Sequence, residues 1–155
     1  VRAVVQRVTR ASVEVNGADV AGIGPGLLAL VGFARGDHDE DLVYVARKIP
    51  HLRIFPDEDG KFSLSSLHLG LSVLVVSQFT LFGDVRRGNR PSFTGAEDPA
   101  PARALYERFI LFLKAETGEE KVQSAPFGAM MKVCLVNDGP VTIWVDSRGG
   151  REKEE

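Results

Sequence analysis

The stretch that most limits what this chain can fold into is Asn137-Asp138-Gly139-Pro140-Val141-Thr142. It lies between two apolar runs, Met131 to Val136 and Val141 to Asp146, and so reads as the connection between two strands. Gly-Pro is unusual chemistry for a simple hairpin. Proline fixes its own φ and has no N–H to give to a ladder, while the glycine before it can take nearly any backbone geometry. An X-Pro bond is also the kind for which a cis isomer costs as little as ~0.5–1 kcal/mol. A turn of this composition can hold two carbonyls out of a rigid frame with no side chain in the way. A plain tight turn is the simpler reading of the same residues.

Upstream, Val4 to Val8 and Ala11 to Val15 read as two strands, the second with period-two alternation, and Asn16-Gly17 is a strong hairpin signal. Gly24-Pro25-Gly26 turns the chain into Leu27 to Phe33, a continuous apolar run expected to be buried on both faces. Arg7 interrupts an apolar strand, so it either reaches an edge or is paired inside. Asp37 and Glu40 have the spacing of a capping box, and Leu42, Val45, Ala46 and Ile49 form a helical core stripe that Pro50 should end. Leu52 to Phe55 reads as a short strand. Asp57-Glu58-Asp59-Gly60 is an acidic turn without the alternating ligands and closing Glu of a calcium loop.

Leu71 to Val76 should be a central strand that runs into Ser77-Gln78-Phe79-Thr80. Leu105, Phe109, Phe112 and Leu113 mark a second helix, preceded by Pro99 and Pro101. Many strands with two main helices predict a β-rich α/β domain, with an antiparallel barrel-like or two-layer sheet. Residues 1–147 are expected to form that single domain, and Arg148 to Glu155 a disordered C-terminal tail.

The net charge of −2 gives no global positive field for a long nucleic-acid backbone. Any RNA contact must be local, and Arg86-Arg87-Gly88-Asn89-Arg90 is the one basic cluster, unless it is simply a solvated loop. The single cysteine, Cys134, reads as a small buried apolar residue and fits a reducing compartment. No apolar run approaches the ~20 residues that span a bilayer, and no leader pattern opens the sequence, so a cytoplasmic protein without a membrane partner is expected. His38, His51 and His68 are widely separated, which predicts no metal site. Gly22-Ile23-Gly24-Pro25-Gly26 lacks an amide that a phosphate loop needs, and no Gly-x-Ser-x-Gly elbow occurs. No cofactor is expected.

What remains is Ser77-Gln78-Phe79-Thr80, where amides released at a strand end make natural oxyanion donors. Thr80 as a nucleophile has no base supplied by the sequence, and the alternative is a β-forming threonine with a satisfied hydroxyl.

Four segments together resemble the D-aminoacyl-tRNA deacylase family. They are Ser77-Gln78-Phe79-Thr80-Leu81, Arg90-Pro91-Ser92-Phe93, Phe127-Gly128-Ala129-x-Met131 and Leu135 to Thr142. Gln6 to Val13 is similar to that family's N-terminal segment. The resemblance spans about residues 2–146. It implies a cytoplasmic homodimer, with active sites at the interface, that hydrolyses the ester between a D-amino acid and the terminal adenosine of tRNA. Glycine mischarged on tRNA(Ala) would be cleaved too. It further implies that Gly139-Pro140 is cis and enters the partner's site, where its carbonyls hold the substrate ammonium and exclude an L side chain. Ser77, Gln78, Phe127, Gly128 and Met131 would line the pocket, Phe79 and Thr80 would supply oxyanion amides, and Arg7 would brace the turn. Met130 and Ala125-Pro126 depart from the family's usual residues.

The physics of the stretch agrees with that picture. A charge-assisted hydrogen bond of ~1.5–3 kcal/mol can orient an ammonium. Thousandfold rejection of L substrates needs ~4 kcal/mol, which a stiff backbone wall can supply by steric overlap with the L Cβ. An aminoacyl ester is already activated, and the neighbouring ribose hydroxyl can assist at high effective molarity. Two other readings stay open here: a non-catalytic dimeric module that binds aminoacyl ends, and a trans-Gly-Pro relative that acts on L-aminoacyl-tRNA.

Overall fold

The structure is a computed structural model that describes residues 1–151. In chain order it contains β1 (Arg2–Val15), β2 (Ala18–Ile23), β3 (Gly26–Gly32), α1 (Asp39–His51), β4 (Phe55–Pro56) and β5 (Phe62–Leu64). Then come β6 (Ser72–Ser77), a 3-10 turn (Phe79–Phe82), α2 (Pro99–Thr117), a second 3-10 turn (Glu119–Lys121), β7 (Val122–Ser124), β8 (Lys132–Asp146) and α3 (Ser147–Arg151). The main sheet runs β2-β1-β3-β6-β7, with β8 added on β1, and β4-β5 is a separate ribbon.

The sheet curls because its longest strands change partners along their length. β1 pairs β3 through Arg2 to Val8 and β2 through Ala11 to Val15, while β8 follows it on the other side throughout. β2 thereby comes back against β6 and β7, which leaves a nearly closed barrel. Period-two alternation then serves two cores. Leu27, Ala29, Val31, Val73 and Val75 face α1 and α2, and Leu28, Leu74 and Val76 face the barrel interior. β1 crosses from one to the other, with Val5 in the first core and Val8 and Val13 in the second.

The β-rich α/β class holds, but the sheet is mixed: β3 pairs β6 and β6 pairs β7 in parallel. α1 is the crossover between β3 and β6, and a strand apolar on both faces suits such a pair. The two expected N-terminal strands are one, because bulges at Gln6/Val8 and Val8/Arg10 bend β1 without ending it. Asn16 (φ 52°) and Gly17 (φ 83°) form the expected hairpin turn.

The α1 cap is displaced by one residue, with the His38 amide donating to Asp41 Oδ2 at 2.9 Å. Asp37 instead accepts from the Ala34 amide at 2.7 Å and pairs with the Val1 ammonium at 2.8 Å. Pro50 lies inside the last turn, and α1 ends one residue later. Of Leu52 to Phe55, only Phe55 is strand. Pro99 begins α2, where a proline's missing N–H is no loss. Cys134 is exposed, since it sits on the outward face of β8. Arg148 lies in α3, with Nη2 donating to the Arg35 carbonyl at 2.6 Å, and 152–155 of the expected tail lie outside the described residues.

Tyr106 ties α2 to the sheet. Its buried hydroxyl donates its one hydrogen to the Ala125 carbonyl at 2.7 Å, with the Val75 carbonyl sharing it at 3.2 Å, and burial pushes the phenol well above its usual range. Tyr106→Phe leaves the Ala125 carbonyl short of that donor and should lower stability by about 1–2 kcal/mol. Denaturant unfolding is expected to show a lower midpoint with an unchanged slope. An unchanged midpoint would show that the tie contributes nothing.

Candidate active site

β3, β6 and β7 are parallel, and their carboxyl ends lie side by side, with Val31 opposite Ser77 and Val75 opposite Ser124. Open ends of this kind are where α/β sheets present ligand-binding groups. The Gln78 amide donates to the Val31 carbonyl at 2.7 Å, which folds the chain back over the end of β3. The fold-back needs Gly32, because a Cβ there would lie 2.6 Å from the Gln78 carbonyl oxygen. Phe79 and Thr80 follow as the first two residues of the 3-10 turn, so their amides have no acceptor within it. Phe79 is exposed and meets Phe93 edge-on at 5.1 Å.

The Gln78 Nε2 donates to Thr80 Oγ1, so the hydroxyl oxygen is an acceptor here. No carboxylate or imidazole bonds to it among the described residues. Arg2 fastens the turn to the end of β8: Nη1 donates to the Leu81 carbonyl at 3.0 Å and Nε to Asp146 at 3.1 Å, with the guanidinium 4.5 Å from the Phe82 ring. Beyond β7, the Ala125 amide donates to the Val75 carbonyl at 2.9 Å and leads into the Phe127-Gly128 turn. Phe127 packs 5.6 Å from Tyr106. Ser77, Gln78, Phe79, Thr80, Phe127 and Gly128 thus share one end of the sheet. Met131 is half-buried on the barrel side, against the interior core.

Gly139-Pro140 is not a hairpin. Gln6 pairs Thr142 and Val8 pairs Asn137, so residues 138–141 bulge from within β8 opposite Arg7 alone. Arg7 is buried, with Nε donating to the Asp138 carbonyl at 3.1 Å and Nη1 to the Ile54 carbonyl at 2.7 Å. Its guanidinium also lies 3.4 Å from Asp138 Oδ2 and 5.5 Å from the Phe62 ring. Asn137 closes the bulge from the other side: Oδ1 accepts from the Val141 amide and Nδ2 donates to Thr142 Oγ1, both at 3.1 Å. The Gly139–Pro140 bond is cis. Gly139 has φ +133°, and a Cβ there would lie 2.7 Å from Val141 Cγ2.

Both Gly139 and Pro140 are exposed. The rim lies level with Arg2 and Gly32, whereas the bulge lies level with Arg7, five residues along β1 or roughly 17 Å at ~3.4 Å per residue. One chain does not bring the two together. Sequence reasoning missed Arg2, whose place at a strand start gave no sign of its reach. It also gave Asn137 no role, although asparagine beside Asp-Gly commonly bonds its neighbouring backbone. Two surface clefts, of about 600 and 470 Å³, lie elsewhere, on the outer face of α1 and between α1 and the end of β8.

A nearly closed mixed barrel, with free amides at its parallel strand ends and a braced main-chain bulge, defines an α/β domain whose polar site is built largely from backbone. The sequence model of the family described as D-Tyr-tRNA(Tyr) deacylase matches residues 4–146. The chain is 54% identical over 147 residues to a D-aminoacyl-tRNA deacylase of Dehalococcoides mccartyi, covering 95% of each. It also resembles the solved structure of a c-Myc DNA unwinding element binding protein, with a TM-score of 0.90 and 42% identity over 94% of this chain and 98% of that one. A probable eukaryotic D-amino acid tRNA deacylase shares the fold at a TM-score of 0.82 and 22% identity, over 94% and 98% of the two chains. The chain belongs to the D-aminoacyl-tRNA deacylase family, whose members are ester hydrolases.

Arg7→Lys keeps the charge but gives up the fork that reaches two carbonyls at once. It should lower stability by about 2–3 kcal/mol and speed hydrogen exchange at the Val141 amide. Unchanged exchange at Val141 would mean that Arg7 does not hold the bulge.

Proposed function

We propose that residues 1–147 act as one deacylase domain that hydrolyses the ester of D-aminoacyl-tRNA, releasing free D-amino acid and tRNA. The observation that carries this reading is the separation within one chain. A stiff pair of main-chain groups at Gly139-Pro140 projects outward, while the free Phe79 and Thr80 amides wait at another place. A homodimer satisfies both, each subunit lending its bulge to the other's rim. Apolar groups left exposed, among them Val136, Trp144, Phe79 and Met130, suit such an association.

In this arrangement the Gly139 and Pro140 carbonyls accept from the substrate α-ammonium, and Arg7 and Asn137 keep them from yielding. An L side chain would collide with main chain that cannot move; a D side chain points away. Glycine has no Cβ and passes, so glycyl-tRNA(Ala) is a substrate as well. Ser77, Gln78, Phe127, Gly128 and Met131 line the pocket around the aminoacyl group and terminal adenosine. The Phe79 and Thr80 amides stabilise the oxyanion as the carbonyl becomes tetrahedral, and the ribose hydroxyl assists the attack. Thr80 serves through its amide, since among the described residues no carboxylate or imidazole bonds to its hydroxyl to act as a base.

No described helix is long and apolar enough to cross a membrane. The substrate places the enzyme in the cytoplasm, where charged tRNA is used, and its role there is proofreading of amino-acid handedness.

Deacylation of D-Tyr-, L-Tyr- and glycyl-tRNA(Ala) tests the proposal. Release of D-tyrosine and glycine with L-tyrosyl-tRNA left intact supports it. L release would point to a relative of opposite preference, and no release to a module that only binds. Thr80→Ala should retain turnover within about tenfold, whereas a loss of ~10⁴ would make the hydroxyl the nucleophile.

A further inference from the structure

The loop at 84–92 leaves directly from the proposed oxyanion turn and is closed at its base. Asp84 and Ser92 exchange both backbone hydrogen bonds, at 2.8 and 2.9 Å. The space beside Gly83 is filled by Thr80 and by the returning strand, where an added Cβ would meet the Thr80 carbonyl oxygen and the Phe93 ring at 3.1 Å each. The base of the loop and the candidate site are therefore one packed unit.

The charges in this loop are divided. Arg86 folds back on Asp84, with Nη2 to Oδ2 at 2.6 Å, Nε to Oδ1 at 2.9 Å and its own amide to Oδ1 at 3.0 Å. Those bonds hold the Asp84 carboxyl down at about 2, so it is ionised near neutral pH. The one carboxylate in the loop is thus neutralised by Arg86. Arg87 and Arg90 are exposed and have no carboxylate partner among the described residues. At the base of the loop, Phe79 and Phe93 expose aromatic surface and meet edge-on.

We infer that Arg87 and Arg90 grip phosphates of the single-stranded 3′ end of the RNA whose terminal ester lies at Phe79 and Thr80. This deepens the deacylase reading and rests on it. A guanidinium fork matches a phosphate's oxygens, and an aromatic face offers a stacking platform for an unpaired base. The net charge of −2 makes the distinction sharper. A chain with no global positive field must take the RNA backbone at a few fixed cations, and these two stand on a loop anchored to the proposed oxyanion turn.

The test compares kcat/KM for D-Tyr-tRNA with that for 2′(3′)-O-D-tyrosyl-adenosine, an ester without phosphates, over a series of salt concentrations. The double variant Arg87→Ala/Arg90→Ala should lose about tenfold on tRNA and keep its rate on the phosphate-free ester. Its dependence of log(kcat/KM) on log[salt] should flatten by about 1.4, at ~0.7 per single-strand phosphate. Arg87→Lys/Arg90→Lys should restore most of the slope, because the charge is kept. A double alanine variant equal to the unaltered protein on tRNA, with the same slope, overturns the inference. So does an equal loss on both substrates, which would make the loop a prop for the 3-10 turn. If the unaltered protein cleaves neither ester, the deacylase reading falls and takes this inference with it; the other failures leave that reading standing.

Discussion

The contact on which the rest depends is the Arg7 guanidinium beneath the β8 bulge. A cation inside a strand is tolerable only if its donors are used, since burial strips away its water. Here the fork reaches the Ile54 carbonyl in one direction and the Asp138 carbonyl in the other, with Phe62 alongside. Two segments far apart in sequence are thereby pinned to the middle of β1. Lysine has no planar fork and could not join both carbonyls in fixed directions. The bulge also satisfies itself locally, since Asn137 takes the Val141 amide that no ladder partner can accept. Main chain that leaves the ladder is thereby tied by hydrogen bonds on both sides.

That anchoring matters because so few reactive side chains surround the candidate chemistry. The groups at the strand ends are amides at the start of a 3-10 turn, a glutamine amide bonded to a threonine hydroxyl, and aromatic faces. Such a set can orient and stabilise charge but offers no nucleophile with its base. An activated ester needs little more than this, so the poverty of the inventory fits the substrate class proposed. Parallel strands place these amides with an accuracy that a flexible loop would lack, because β3 sets the position of Gln78 through one 2.7 Å hydrogen bond.

Much of this was legible in the residues. The apolar runs of β3 and β6 announced strands buried on both faces, and Leu42, Val45, Ala46 and Ile49 announced α1. Arg7 within an apolar strand had either to reach an edge or to be paired inside, and burial with two carbonyl partners decides for the second. What was hidden depended on register. Nothing local says that Asn137 to Thr142 stays within one strand, because a bulge and a hairpin use the same glycine, proline and asparagine chemistry. Only pairing with β1 on both sides decides it. The direction of β6 was hidden for the same reason: alternation reports faces, not orientation. Cys134 misled because an apolar run at the margin of a sheet has one face without a neighbour.

A site made of main chain constrains a sequence in an indirect way. Replacing a catalytic side chain removes a reagent, whereas changing Gly32 or Gly139 moves the frame that presents one. At Gly32 a single added carbon would meet the Gln78 carbonyl at 2.6 Å, and that carbonyl belongs to the residue that starts the amide-bearing turn. At Gly139 the same carbon would meet Val141, whose amide is what Asn137 holds. At Gly32 a second backbone segment leaves no room for a side chain, and at Gly139 the positive φ and the crowding of Val141 exclude one, so each half of the proposed composite site depends on a glycine. In the proposed site a surface of this kind would judge handedness without reading the substrate side chain. On that proposal, atoms held by Arg7, Asn137 and Gly139 respond to where a Cβ points and not to what it carries.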